Sequence, residues 1–277
     1  MGPIEYTENG RWGGRLTKTP LPEYDDSIDA LAPSARQRLA DIWLRRAAME
    51  RRVADSFAVI AGALGRRLAD SGIVALASRA IDDEYRHAEL SRVVASRFAG
   101  VNLAAPARLA LDVPKHKGAS AELRGTLFVV GQCVLNETTA AAFLEVCLAR
   151  ARGPLAKTAL RDLLSDEIDH ARIGWAHLAA LEPRTRAEVA RWLLPMAYLN
   201  LRVWREETPV DPAYEEAFSD HGAPPAASVH DAFIDALRTL IVPGLARLGM
   251  RTGPLEAWLE AGAFTHRPPT EFLWVKT

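Results

Sequence analysis

Between about Ser34 and Leu248, the distribution of apolar and polar residues is that of a helical protein. Apolar side chains recur at intervals of three and four residues, and no stretch alternates long enough to predict a strand. Ala, Leu, Arg and Glu, which favour helices, are abundant throughout. The pattern therefore predicts an all-α fold.

Proline and glycine residues divide this region into four long helices. The first begins after Pro33 and extends towards residue 66, where Gly62 and Gly65 weaken it before the clearer break at Asp70-Ser71-Gly72. The others are predicted from this break to about 99, over 119–152 and over 154–181. The segment 100–118 is too long for a hairpin turn, so it predicts a crossover between two antiparallel hairpins.

Two more helices are predicted over about 184–206 and 229–248, where Pro195 and Pro243 can introduce kinks. The termini contain many Pro and Gly residues and isolated aromatics, which predict arms lying on the body or on a second copy of the chain in a homodimer. The predicted division is an N-terminal arm (1–33), a four-helix body (34–182), additional helices of the same domain (183–250) and a C-terminal arm (251–277).

Composition and charge argue against several classes of protein. The 277-residue chain has a net charge of -1, without the positive excess typical of nucleic-acid binders. No uninterrupted apolar run reaches the roughly 18 to 20 residues that cross a membrane, and the first residues do not resemble a signal peptide. We therefore expect a cytoplasmic protein with no nucleic-acid or membrane partner. Cys133 and Cys147 fall on one predicted helix, roughly 21 Å apart, so no internal disulfide is expected.

The sequence Asp-Glu-x-x-His occurs twice, at Asp83-Glu84-Tyr85-Arg86-His87 and at Asp166-Glu167-Ile168-Asp169-His170. A Glu and a His three residues apart lie on the same face of a helix, so each pair can point at one position in space. The neighbours on these faces are apolar. They are Ile73, Leu76, Ala77, Ala80, Ala88 and Val94 on the second helix, and Leu160, Leu163, Leu164, Ala171, Gly174 and Leu178 on the fourth. Both charged pairs are therefore predicted to face the core.

The other two helices each place one glutamate in an apolar row, Glu50 on the first and Glu137 on the third. Two residues at the same level of an antiparallel hairpin need the turn near their midpoint. For Glu137 and Glu167 that midpoint is residue 152, beside Gly153-Pro154. For Glu50 and Glu84 it is residue 67, which fits a turn after Gly65 but not one at Ser71-Gly72.

Four carboxylates in an apolar core would repel one another strongly if no cation were bound. Two divalent ions supply four positive charges against the four negative ones. Mixed oxygen and nitrogen ligation with more than four donors suits iron or manganese better than a tetrahedral structural zinc. The sequence therefore predicts two Fe ions, or Mn or a mixed Fe/Mn pair.

From about residue 34 to 181 the chain resembles the ferritin-like non-haem diiron carboxylate proteins, and most closely their oxygen-activating branch. This resemblance implies six metal ligands: Glu50, Glu84, His87, Glu137, Glu167 and His170. It further implies that Glu84 and Glu167 bridge the two ions. Asp83 and Asp166 would accept hydrogen bonds from the ring N–H of the histidine in the opposite motif.

Departures from the known branches leave the subfamily unassigned. Ser91 stands where a radical-storing reductase subunit has a tyrosine one turn after His87. Leu163 stands where arylamine N-oxygenases have an additional histidine ligand, and Ala141 where oxygenating monooxygenases keep a threonine. The chain also has no Cys-x-x-Cys pair of the rubrerythrin kind.

Some residues keep more than one interpretation. Glu145 is a rival to Glu137 on the third helix, although it lies about two turns from the level of Glu167. His177 is either a satisfied core histidine or a group near the metals, and Cys133 is interpreted as a small core residue.

The resemblance implies a diiron oxidase or oxygenase that activates O2 and oxidises a small organic substrate, using an external electron donor. The extra helices and arms favour this function, because a minimal iron-storage subunit needs neither. Two alternatives stay open: iron oxidation, iron storage or peroxide removal, and a non-catalytic scaffold stabilised by metal.

Overall fold

The computed structural model describes residues 16–66, 71–205 and 215–262, and within these ranges the chain is helical with no β-strand. The predicted all-α class is confirmed. The long helices are α2 (Pro33–Arg66), α3 (Ser71–Ala99), α5 (Glu137–Arg150) and α6 (Pro154–Ala180). The shorter ones are α1 (Asp26–Asp29), α4 (Ala121–Val129), α7 (Pro183–Ala190), α8 (Leu193–Arg205), α9 (Glu215–Asp220), α10 (Ala226–Ala236), α11 (Val242–Arg247) and α12 (Gly253–Glu260).

The long helices pack in pairs, α2 along α3 and α5 along α6, while α3 also contacts α6 and α2 contacts α4. The α5–α6 connection is only Ala151–Gly153, and Pro154 begins α6 because proline is tolerated in the first helical turn. The α2–α3 connection falls between Arg66 and Ser71, so α2 ends close to the midpoint of Glu50 and Glu84. Residues 67–70 themselves lie outside the described ranges.

The helix predicted over 119–152 differs from a regular α-helix. Between α4 and α5 the chain forms a π-helical segment, Val130–Asn136, which ends immediately before Glu137. Extra residues inside a helix rotate everything that follows them, and such segments are frequent at functional sites. The position of Glu137 therefore depends on this irregularity, which the apolar spacing does not reveal.

Beyond residue 182, the described residues contain both predicted helices in altered form together with further short helices. The helix expected over 184–206 is broken at Arg191–Trp192, and Pro195 lies in the first turn of α8, where its missing N–H is tolerated. The helix expected over 229–248 contains a π-helical segment, Leu237–Ile241, just before Pro243. The predicted loop at 207–228 includes α9, and the predicted C-terminal arm includes α12, which buries Trp258.

The part of the N-terminal arm from residue 16 onwards lies against the helices. Leu16, Thr17 and Ile28 are buried, and Tyr24 is exposed. The buried carboxylate of Asp25 accepts a hydrogen bond from the backbone N–H of Leu155 (3.0 Å), which satisfies a free donor at the start of α6. The predicted arm residues Trp12, Phe272 and Trp274 lie outside the described ranges.

One helix in the described part of the chain, Ala121–Arg150, is long and apolar enough to span a membrane by length and hydropathy alone, with a mean hydropathy of 1.4. The sequence-based expectation of no such segment is therefore too strict. Because 67% of the most apolar stretch of this helix is buried inside the protein, its length and hydropathy are also those expected of a helix at the centre of the fold.

Gly174 allows α6 to approach the first π-helical segment closely. A Cβ atom at this position would lie 2.7 Å from Cβ of Cys133 and 2.9 Å from the backbone N of Val134. We expect Gly174→Ala to lower the free energy of unfolding by about 1 to 3 kcal/mol, because neither neighbour is the end of a flexible side chain. Urea unfolding followed by circular dichroism measures this change.

Gly125→Ala is the matched control, since a Cβ at Gly125 would meet only Cβ of Ala63, at an ordinary 3.6 Å. This variant should be unchanged or more stable by up to about 1 kcal/mol, because alanine favours helices over glycine. Equal stability of Gly174→Ala and Gly125→Ala would contradict the close contact between α6 and the π-helical segment.

Candidate metal centre

Two overlapping groups of acidic and histidine side chains lie at the centre of the four long helices. One group contains Glu50, Glu84, His87 and Glu167, and the other contains Glu84, Glu137, Glu167 and His170. Within each group, one oxygen or nitrogen from every residue lies within 4.8 Å of all the others, close enough to hold a metal ion. Together the groups contain the six side chains that the resemblance implied as ligands, and they share Glu84 and Glu167.

The acidic residues on each helix lie between two apolar layers. On α2, Glu50 lies between Trp43 and Phe57, which belong to different buried apolar clusters. On α6, Glu167 lies between Leu163 and Ile173 of the same two clusters. All the ligand candidates are buried except Glu50, which is partly exposed. The clusters above and below therefore restrict water around the carboxylates.

Both histidines turn the same ring nitrogen towards the shared glutamates. Nδ1 of His87 lies 3.6 Å from Glu84 and 3.4 Å from Glu167. Nδ1 of His170 lies 3.0 Å from Glu84 and 3.3 Å from Glu167. The two rings are 5.8 Å apart between centroids. This arrangement places two imidazole nitrogens on opposite sides of one carboxylate pair.

The other ring nitrogens face the aspartates of the opposite motifs. Nε2 of His87 lies 3.3 Å from Asp166, and Nε2 of His170 lies 3.7 Å from Asp83. A carboxylate on this side holds the imidazole with Nε2 protonated and leaves Nδ1 as a metal donor. The first contact is within hydrogen-bond distance and the second is longer, so Asp166 orients its histidine more firmly.

Asp166 is itself held by a buried network that the sequence pattern did not indicate. Arg86 donates to both Asp162 and Asp166, and it also donates to the carbonyl oxygen of Leu16 (2.9 Å). Lys18 donates to Asp166 from Nζ (2.7 Å) and to Asp162 from its backbone N–H (2.7 Å). Leu16 and Lys18 of the N-terminal segment therefore contact the network that holds Asp166, the carboxylate that orients His87.

Glu137 has a different partner, located on the π-helical segment. Gln132 donates from Nε2 to Glu137 (2.6 Å), and its amide oxygen accepts a hydrogen bond from Ser56 on α2 (3.0 Å). The five-residue separation of Gln132 and Glu137 is the repeat of a π-helix. The irregular turn thus brings an amide against a ligand candidate, an arrangement that regular α-helical spacing would not predict.

Burial raises the pKa of Glu50 and of Glu137 well above the usual value of a glutamate, and the charges of Glu84 and Glu167 raise both further. Burial also opposes ionisation of Glu167, but its contacts with His170 and His87 outweigh this and lower its pKa. Without metal, therefore, positive charge on the histidines and protons on some carboxylates must balance the cluster.

The pKa of His87 and of His170 is raised. Burial alone would lower it, but the contacts of His87 with Asp166 and of His170 with Asp83, together with the glutamates, outweigh that effect. The pKa of Asp166 is lowered, because its contacts with His87, Lys18 and Arg86 outweigh burial. Each histidine–aspartate contact therefore favours the charged forms when no metal is bound.

The unpartnered atoms at this centre fit a metal ion. Both carboxylate oxygens of Glu84 and Nδ1 of His87 are buried without a hydrogen bond of good geometry, although Nδ1 of His170 lies 3.0 Å from Glu84. Leaving such atoms unpaired is costly, and a cation would satisfy all of them at once. The donor set of carboxylate oxygens and imidazole nitrogens suits a divalent transition metal.

The residues with several interpretations are also placed by the structure. Glu145 is exposed and does not join either group. His177 is buried and lies 3.4 Å from the hydroxyl of Thr126, as a satisfied core histidine would. Cys133 and Cys147 are both buried and neither forms a disulfide, as the sequence predicted. Leu76, predicted to face the core, is 43% exposed and lies in the second turn of α3.

No protein-family model matches this chain, and no curated protein matches it.

The Asp166→Asn and Asp83→Asn variants are expected to bind metal still, with an affinity that is weaker by about 10- to 100-fold. The larger loss should come from Asp166→Asn, because it also leaves the buried guanidinium of Arg86 with one carboxylate fewer. Competition titration against a chelator measures both affinities.

Asp169→Asn is the control, since Asp169 is exposed and pairs with Arg172 on the outer side of the same motif. Its metal affinity should equal that of the wild type. Equal affinities in all three variants would show that neither Asp83 nor Asp166 acts on a metal-bound histidine.

Proposed function

We propose that this chain is a ferritin-like non-haem diiron oxidase or oxygenase that uses O2 to oxidise a small organic substrate. The observation that carries the proposal is the overlap of the two donor groups, which share Glu84 and Glu167 and add one histidine and one further glutamate on each side. This is the ligand pattern of diiron carboxylate proteins, with one Glu from each of two helices and a Glu-x-x-His from each of the others.

Charge and donor number support a pair of ions over a single one. Four glutamates and two neutral histidines carry four negative charges, which two divalent cations balance. A single tetrahedral zinc would use four donors and leave buried carboxylates without a partner. Iron, manganese or a mixed pair accepts the larger mixed set of donors.

Each side chain has a defined task in the proposed centre. Glu84 and Glu167 would bridge, Glu50 and His87 would complete one metal site, and Glu137 and His170 the other. Asp166 holds the ring of His87 with Nδ1 towards the glutamates, and Asp83 lies 3.7 Å from Nε2 of His170. Gln132 holds one oxygen of Glu137.

The apolar surroundings of the proposed centre exclude bulk water, which favours oxidative chemistry. The ring of Phe57 lies 5.0 Å from that of His170, and both apolar clusters border the acidic layer. When bound, two ferrous ions supply electrons for the reduction of O2, and an external donor would restore them. A purely structural metal site would need neither two ions nor a partly exposed ligand such as Glu50.

The test is anaerobic loading with Fe(II), followed by a pulse of O2 and stopped-flow absorbance with an oxygen electrode. We expect rapid oxygen consumption and a transient visible absorbance in the wild type, and neither in Glu84→Ala. Size-exclusion chromatography of the same sample distinguishes iron storage, which would give a cage-sized assembly and bound ferric mineral. A folded, metal-loaded protein that consumes no oxygen would contradict the proposal and identify a scaffold.

A further inference from the structure

A groove of about 540 Å³ opens on the surface of the protein. It is formed by α2, by residues 113–117 and by α4. The described residues that line it are Val59, Ala63, Val113, Pro114, Lys115, Lys117, Ala121, Arg124, Gly125 and Phe128. Its volume is within the range of sites for small organic molecules.

The groove has an apolar floor and a positively charged rim. Val59 and Val113 are large apolar side chains that are 37% and 40% exposed, although apolar residues of this size are usually covered. Lys115, Lys117 and Arg124 supply three positive charges, and among the described lining residues none is acidic. An apolar surface next to three cations complements a molecule with an apolar body and an anionic group.

The cationic rim is held in position by its backbone. His116, between the two lysines, has a φ of 40°, a conformation that is uncommon outside glycine. Its ring is buried and packs edge-on against Trp192 at 5.4 Å between centroids. Arg124 donates a hydrogen bond to the carbonyl oxygen of Ala119 (3.0 Å), which fixes the guanidinium at the rim.

The inner wall of the groove continues towards the metal centre. Phe128 lines the groove and belongs to the same buried cluster as Phe57, Cys133 and Ile173. Phe57 contacts the ring of His170, as described above, and Phe128 precedes Gln132 by one helical turn. Phe128 therefore connects the floor of the groove to the buried cluster that borders the proposed ligands.

We propose that this groove binds the organic substrate and that the substrate is a small organic acid with an apolar body. Its carboxylate lies between Lys115, Lys117 and Arg124, and its apolar part lies over Gly125 and Phe128. This inference rests on the proposed function only in identifying the bound acid as the molecule that is oxidised. The binding of the acid can be tested independently of that function.

Isothermal titration calorimetry of the metal-loaded protein with octanoate, octylamine and octanol tests the charge and the apolar surface together. Octanoate should bind at least tenfold more tightly than octanol, and octylamine should bind most weakly. Equal affinity for octanoate and octanol would overturn the assignment of the cationic rim. Binding to vesicles of anionic lipid without binding of monomeric octanoate would overturn it in favour of a lipid surface.

Three variants locate the site. Gly125→Leu should abolish octanoate binding, because its side chain fills the groove where only Ala63 is near. Lys117→Glu should weaken octanoate at least tenfold and strengthen octylamine. Arg251→Glu, an exposed arginine that does not line the groove, is the control and should bind as the wild type does. Unchanged octanoate affinity in both groove variants would overturn the proposal.

The same titrations separate this inference from the proposed function. If octanoate binds in the groove but iron-loaded protein consumes no O2, the diiron function fails and the groove stands as an organic-acid site. If O2 is consumed but octanoate does not bind, the inference about the groove fails alone.

Discussion

Replacing either Glu84 or Glu167 by alanine is expected to abolish the binding of two metal ions, whereas the wild type should bind about two Fe or Mn per chain. Each of these carboxylates belongs to both donor groups, so its loss removes an oxygen from both metal positions. Metal analysis after anaerobic loading and desalting measures the stoichiometry, and circular dichroism checks that the variants fold.

Glu50→Ala and Glu137→Ala provide the graded comparison. Each of these residues belongs to one group only, so each variant should retain about one ion per chain while losing the other. Glu145→Ala, on the same helix as Glu137 but exposed, should still bind two. Full loading of Glu84→Ala, or a loss in Glu145→Ala equal to that in Glu137→Ala, would contradict the shared-carboxylate arrangement.

The parts of this centre that depend on one helix were predictable from the sequence. A Glu and a His three residues apart share a face regardless of tertiary structure, and an apolar row around them shows which way the face points. Gly153-Pro154 ends one helix and starts the next through local backbone chemistry alone. For these reasons both motifs and the second hairpin could be placed without a structure.

The parts that depend on distant residues could not be predicted. Arg86 lies inside the first motif, but its partners are Asp162 and Asp166, more than seventy residues away. Helical spacing assigns Arg86 to a different face from His87 and contains no signal for a buried partner. The burial of Arg86 is itself a tertiary property that the structure alone shows.

The π-helical segment is the second feature that the spacing of apolar residues does not predict. Val130–Asn136 contains no proline and lies between two helix-forming stretches, so an uninterrupted α-helix was the natural prediction. The irregularity occurs where Gly174 lets α6 approach Cys133 and Val134, which is a packing effect between segments forty residues apart. Its consequence is functional, because the segment brings Gln132 to Glu137.

Removing the metal should make the stability of the protein fall as pH rises. The folded apo protein holds protons on Glu50 and Glu137, whose pKa values are raised by burial and by Glu84 and Glu167. It also holds protons on His87 and His170, whose pKa values are raised by their carboxylate partners in spite of burial.

The sign follows from proton linkage. Above the ordinary pKa of each group, the unfolded chain has released these protons and the folded apo protein still binds them, so the free energy of unfolding decreases with increasing pH. For the glutamates this decrease starts near pH 4.5, and for the histidines near pH 6.5, and it continues through the raised folded values. Glu167 has a lowered pKa and acts in the opposite direction, but only below about pH 4.5.

Bound metal replaces these protons and should remove most of the pH dependence. At a metal concentration a hundred times the Kd, each bound ion adds about 2.7 kcal/mol, which corresponds to roughly 5–10 °C in Tm per ion for a chain of this size. Because protons compete with metal for the same carboxylates and imidazoles, the increase in Tm should be larger at pH 8 than at pH 5.5. Thermal unfolding with and without Fe(II), under anaerobic conditions across this pH range, measures both effects. Coincident melting temperatures at every pH would mean that the four glutamates do not form one metal-binding cluster, and the proposed function would fail with it.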